Sequence, residues 1–206
     1  MANIASNEAS SFHLSLQEIQ NFMQKGYEFM EQKNSIDACK QWSKVWIGLQ
    51  QEISSNIKSI EEVEGSLAAV VGLYDWCQDF ETELWNAGLE DEKYHFTRIR
   101  YCQDFCNYFP NSSELIIVNM QRAIADSFFE IGDIEKGEKT YRNLIKHHPA
   151  KIWGYIGWGD IYAFGTGSNT IKADPEKAKK IYGLALNKGM VDENFLCERL
   201  EKLNHL

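Results

Sequence analysis

Tyr155-Ile156-Gly157-Trp158-Gly159-Asp160-Ile161-Tyr162 sets a large ring, a Trp-Gly pair and a tyrosine at three- and four-residue steps. Moving back 34 positions from Gly159 lands on Ala125, inside Gln121-Arg122-Ala123-Ile124-Ala125-Asp126-Ser127-Phe128. That copy continues in register through Gly137-x-x-x-Tyr141-x-x-Leu144 to Pro149. The later copy has Ala178-x-x-x-Tyr182-x-x-Ala185 as its second half, displaced by a Gly-rich insertion. A third copy stands near the N-terminus, with Phe22-x-x-Lys25-Gly26-x-x-Phe29 followed by Ala38-x-x-x-Trp42-x-x-Val45. Small residues recurring where two antiparallel helices cross let the backbones approach, and large residues one turn further on fill the space beside them. A single hairpin of this kind cannot bury its apolar face alone, so neighbours must stack and share a core.

Around these copies the apolar spacing predicts a chain of helices separated by polar punctuation. They cover about 16–31, 35–54, 63–87, 90–108, 112–131, 133–147, 152–164, 174–189 and 192–203. Ser35, Ser112 or Ser113, and Asp174 ahead of Pro175 are the expected caps. Gly65 and Gly72 are the expected weak points of the third helix, with a break near Gly65, and Gly88 is its stop. The segment between 55 and 110 reads as a divergent or lengthened hairpin. Alternating Val/Ile/Thr runs are nearly absent, so the predicted class is all-α, built from stacked antiparallel helical hairpins. The division expected is a flexible tail over 1–12 and a single helical-repeat domain over 13–206.

Composition bounds the partners. The 206 residues are 44% hydrophobic and 13% aromatic, which suits a globular core and not a disordered chain. A net charge of −9 argues against nucleic acid, whose phosphates attract basic stripes. No stretch is long and apolar enough to cross a bilayer. Met1 to Ser11 carries neither a basic nor an apolar segment of the secretory kind, so a cytoplasmic protein is expected. Five cysteines, Cys39, Cys77, Cys102, Cys106 and Cys197, form an odd set without framework spacing and fit reduced thiols.

On the repeated motifs the chain resembles the tetratricopeptide repeat family, over about residues 16 to 190. The stretch Trp153 to Tyr162, preceded by Ala123-x-Ala125 to Pro149, is similar to uncharacterised bacterial repeat proteins. Some of these carry a cysteine-rich, zinc-binding SEC-C segment. Only Cys197 stands near Leu206 here, so no zinc role carries over. The resemblance implies a right-handed superhelix whose concave face holds a peptide or partner helix. Carried over residue by residue, that face would present Asn119, Arg122, Asp126 and Phe129 from the central copy. Trp153, Ile156 and Asp160 would follow from the next copy, and Met23 and Tyr27 from the first. The mixture offers aromatic anchors and polar groups for extended backbone. A carboxylate clamp of the family's best-known type is not expected, because Asp126 and Asp160 would oppose an anion.

Other chemistry weighs less. Cys102 and Cys106 share a helical stripe with His95, but a closed zinc site needs four donors, and Ile99, Phe105 and Phe109 beside them favour small core cysteines. His147-His148 before Pro149 suits a helix C-terminus. Glu61-Glu62-x-Glu64 and Glu90-Asp91-Glu92 read as solvated first turns. The glycines from Gly154 to Gly167 follow no strand and form no phosphate cradle. The expectation is therefore a non-enzymatic scaffold for a protein or peptide, with no cofactor and no metal. Two alternatives stand beside it. One is a structural protein that self-associates into a homo-oligomer, and the other a helical small-molecule-binding protein or enzyme using the aromatic groove.

Overall fold

A computed structural model describes residues 13–53, 56–67, 70 and 72–204, so the tail expected over 1–12 lies outside the described residues. The described residues hold ten helices and no strand. These are α1 (Leu16–Glu31), α2 (Ser35–Glu52), α3 (Ile60–Ser66), α4 (Leu73–Glu90), α5 (Lys93–Tyr108), α6 (Glu114–Glu130), α7 (Ile134–His147), α8 (Ile152–Phe164), α9 (Pro175–Gly183) and α10 (Glu193–Asn204).

Local chemistry starts many of them. Ser15 and Glu18 form a capping box at α1, and Ser59 with Glu62 does the same at α3. Asn34, Asp133 and Asp174 accept from first-turn amides of α2, α7 and α9. Each such bond satisfies an amide the helix itself cannot pair. The α1–α2 and α6–α7 connections turn through a left-handed residue just before the cap, Lys33 in one and Gly132 in the other.

Four hairpins result, α1–α2, α4–α5, α6–α7 and α8–α9, each packed on the next. The α4, α6 and α8 helices also touch in sequence, so the first helices of the last three hairpins lie side by side. The close crossings are made where the small residues recur. Trp42 lies over bare Gly26 and donates its indole N–H to the Met23 carbonyl at 3.0 Å. Tyr182 lies over Gly159, and Phe129 over Gly137.

Two apolar clusters form the interior. The first runs from α1 to α6 around Trp42, Trp76, Phe80 and Phe105, and the second from α6 to α10 around Phe129, Tyr141, Ile156 and Tyr182. Helix α6 belongs to both, giving Ile116, Met120 and Ile124 to one and Val118, Ala125 and Phe129 to the other.

The break expected near Gly65 is found: α3 ends at Ser66, and α4 starts at Leu73 after Gly72, which takes a left-handed φ of 81°. Two boundaries differ from the sequence reading. Gly88 does not stop α4. It lies inside the last turn, where its missing side chain makes room for the His95 ring. Helix α9 ends at Gly183, well before Gly189. The separate α3 is held by contacts distant in sequence: Ser112 Oγ accepts from the Ile60 amide at 2.9 Å, and Glu61 accepts from the Ser113 amide at 3.0 Å.

Candidate binding face on α4, α6 and α8

Gln78, Glu81 and Thr82 of α4 face Asn119, Arg122 and Asp126 of α6 across a recess of about 240 Å³, floored by Ala123 and Arg98. Three and four residues separate these positions within each helix, which puts them on one stripe. Most of the charge in the recess is already used. Arg98, buried on α5, donates to Glu81 from Nε at 2.6 Å and also from Nη2. Its Nη1 donates to the Ala123 carbonyl at 3.2 Å and to Ser127 Oγ at 3.1 Å. Asn119 donates to Gln78 Oε1 at 3.0 Å, bridging the two helices. Asp126 accepts from the Tyr141 hydroxyl of α7. Burial holds the Asp126 carboxyl above its usual range, although Arg122 and Arg98 draw it down.

Arg122 is less fully paired, although its charge acts on Asp126 and Tyr141. Its Nε is buried without a hydrogen-bond partner, and among the described residues no carboxylate lies within ion-pair distance of its guanidinium. The guanidinium sits 5.9 Å from the Trp153 ring. Gly157 leaves the space it occupies: a Cβ there would come within 2.9 Å of Arg122 Nε and 2.6 Å of the Tyr141 hydroxyl.

Further along the stack, α10 lies against α8 and takes up its polar side chains. Asp160 accepts from the Tyr182 hydroxyl at 2.5 Å and from Arg199 Nε at 2.8 and 3.0 Å. Trp153 packs against Phe195 at 5.4 Å and donates to Asp192 at 3.4 Å. Asp126 and Asp160, 34 positions apart, thus share one role. Each takes a tyrosine hydroxyl from the second helix of its hairpin.

The chain matches no family model, no curated protein and no solved structure.

The residues proposed from the sequence divide into three groups, with Tyr27 apart from them. Asn119, Arg122 and Asp126 come together in the recess. Trp153 and Asp160 lie further along and are engaged by α10. Phe129, Ile156 and Met23 have almost no surface to offer a partner, since the first two are wholly buried and Met23 keeps 5% exposure. They are core residues because their helix faces meet the next helix of the stack, as Phe129 does at Gly137. Tyr27 is not in the recess. It donates to Asp79 at 3.0 Å and lies edge-on to Trp42 at 5.0 Å.

The α4 wall of Gln78, Glu81 and Thr82 was not read from the sequence, because 55–110 does not align with the other copies. Its signal was the i, i+3, i+4 spacing of Gln78, Glu81 and Thr82, which puts them on one stripe of α4. Among the described residues no set of three metal-donor side chains converges, and no helix is long and apolar enough to cross a membrane. Cys39, Cys77 and Cys102 are buried, with burial pushing their thiols up, and Cys106 is pushed up to about 11.

Proposed function

We propose that the chain is a non-catalytic binding module, of the tetratricopeptide kind, that holds a peptide or protein segment on the α4–α6 face. The observation that carries this reading is Arg122, which forms no ion pair among the described residues and whose Nε is buried without a hydrogen-bond partner. A buried donor without an acceptor costs about 1–3 kcal/mol, and an incoming carbonyl or side-chain oxygen would recover it. Gln78, Asn119 and Arg122 alternate acceptor and donor across two helices, which suits main chain in an extended conformation. Because α10 engages Trp153 and Asp160, the bound segment is short and centred on α6 unless α10 moves aside. The free state of the cysteines supports a reducing, cytoplasmic setting.

A photoreactive residue at Thr82, on the recess wall, tests the reading in extracts of the cells that make the protein. Expected are discrete adducts at Thr82, absent with the same probe at Ile47 on α2 and lost in Arg122→Met with helical circular dichroism unchanged. Adducts that survive Arg122→Met, or that form equally at both positions, overturn the assignment.

A further inference from the structure

A second recess shares no lining residue with the one around Arg122. The last turn of α4 (Gly88, Leu89, Glu90), Glu92 and His95 face Glu130 at the end of α6 and Gly167-Ser168 of the α8–α9 loop. The volume is about 200 Å³. Two buried groups in its wall lack the partners that such groups ordinarily have. His95 is 2% exposed, lies on Gly88 and against Trp85 at 5.4 Å, and its Nδ1 has no hydrogen-bond partner. Burial lowers its pKa, so the imidazole is neutral and one ring nitrogen accepts.

Glu130 is likewise 2% exposed. Its two oxygens accept from the Gly167 amide at 2.9 Å and the Ser168 amide at 2.8 Å, and among the described residues no lysine or arginine forms an ion pair with it. A carboxylate so deeply placed is normally balanced by a cation. Glu90 and Glu92 add negative charge at the rim, and Leu89, 56% exposed, adds an apolar edge that touches the loop at Gly167.

A cation would balance Glu130, and the geometry restricts its type. No three donors converge as a metal ion requires. The acceptors come instead from α5, from the end of α6 and from the α4–α5 turn, which calls for a cation that spreads several N–H bonds in different directions. A primary ammonium has three such donors in a compact tetrahedral head, whereas a guanidinium presents a flat fork. The volume equals that of roughly six or seven waters, enough for the head and a short alkyl stem against Leu89.

We propose that this recess binds a primary alkylammonium group, with Glu130 and the unpartnered nitrogen of His95 receiving the head and Leu89 the stem. A lysine side chain and a free alkylamine share this chemistry.

Titration of the full chain with n-butylammonium, n-butanol and Nα-acetyl-lysine amide, followed by calorimetry and amide NMR, tests it. Expected is saturable binding of n-butylammonium that shifts the Gly167 and Ser168 amides and the His95 ring nitrogens, with no such response to the isosteric alcohol. Binding of the lysine derivative at equal or greater strength assigns the natural source to protein lysines. Binding of the free amine alone assigns it to small amines. Glu130→Gln should weaken binding about tenfold, as expected for one charge-assisted hydrogen bond. Since that change also disturbs the loop, the rim variant Glu92→Gln, which leaves the Glu130 bonds in place, should weaken it several-fold. Equal responses to amine and alcohol, shifts elsewhere than His95 and the loop, or unchanged affinity in both variants would overturn the proposal.

Discussion

Replacing Gly159 by alanine would set a Cβ inside the van der Waals envelope of the Tyr182 ring. Helix propensity alone favours alanine by about 1 kcal/mol. Forcing Tyr182 aside costs about 1–3 kcal/mol in strain and also pulls its hydroxyl from Asp160, where the bond is 2.5 Å. The second pair of effects wins, so Gly159→Ala should lose about 2 kcal/mol in urea unfolding. Gly65, in α3 with open space where its Cβ would stand, is the control and should gain up to about 1 kcal/mol as alanine. A gain at Gly159 like that at Gly65 would mean that the α8–α9 crossing is looser than described. The same scale explains what the motifs did and did not disclose. Glycine at a crossing is legible because spacing reveals it. The fate of Asp160 is not, because its partners Tyr182 and Arg199 lie 22 and 39 positions away.

At the scale of elements, Glu138 ties α7 to the last hairpin. Its carboxylate accepts from the Trp158 indole at 3.4 Å and the Tyr162 hydroxyl, both on α8, and from Lys177 of α9 at 2.9 Å, while Arg142 pairs with its other oxygen. Burial raises the Glu138 pKa, but the bonds from Tyr162 and Lys177 outweigh it and hold the group below its ordinary range. A carboxylate depressed on folding contributes stability that is present above its unfolded pKa and lost as pH falls through the folded one. Asp126 works the other way, since burial raises it, and protonation relieves part of its cost as pH falls. Melting temperatures across the range from about pH 6 to pH 3 should therefore decline less steeply in Glu138→Gln than in the parent, and more steeply in Asp126→Asn. Parallel curves for all three would remove Glu138 as the tie. Elements were also where the sequence was most and least informative. The cap Asp174 places the start of α9, because a cap is a local bond, whereas the expected cap Ser35 lies inside α2, which Asn34 caps. The break between α3 and α4 was legible in the weak helix formers Gly65 and Gly72, whereas the docking of α3 on Ser112 and Ser113, more than forty positions away, was not. Likewise Phe129 and Ile156 were carried over as groove residues from the family resemblance, which gives a repeat position but not which neighbour covers it here.

For the whole molecule the deciding feature is that α6 serves as the wall of both apolar clusters. Each hairpin otherwise touches its neighbours, and the first hairpin shares none of its buried side chains with the last. In a stack of this kind stability is carried by each unit and by its nearest interfaces, so damage need not spread evenly. Phe129→Ala tests this, because Phe129 is wholly buried, meets Tyr141 and Tyr162, and belongs to the second cluster alone. Truncating a buried phenylalanine costs about 3–5 kcal/mol, a large share of the ~5–15 kcal/mol that holds a domain together. Native-state hydrogen exchange should show that loss as faster opening of α7, α8 and α9, with α1 and α2 retaining their protection. Helix α6 should divide along its length by face, the amides near Phe129 opening with the second cluster and those near Ile116 staying with the first. The Arg122 recess lies on the α4-facing side of α6, so ligand binding there would tie the damaged half back to the intact one and restore part of the protection in α7. Uniform acceleration from α1 to α9 would instead mean that the two clusters melt as one, and that α6 transmits strain across the full stack.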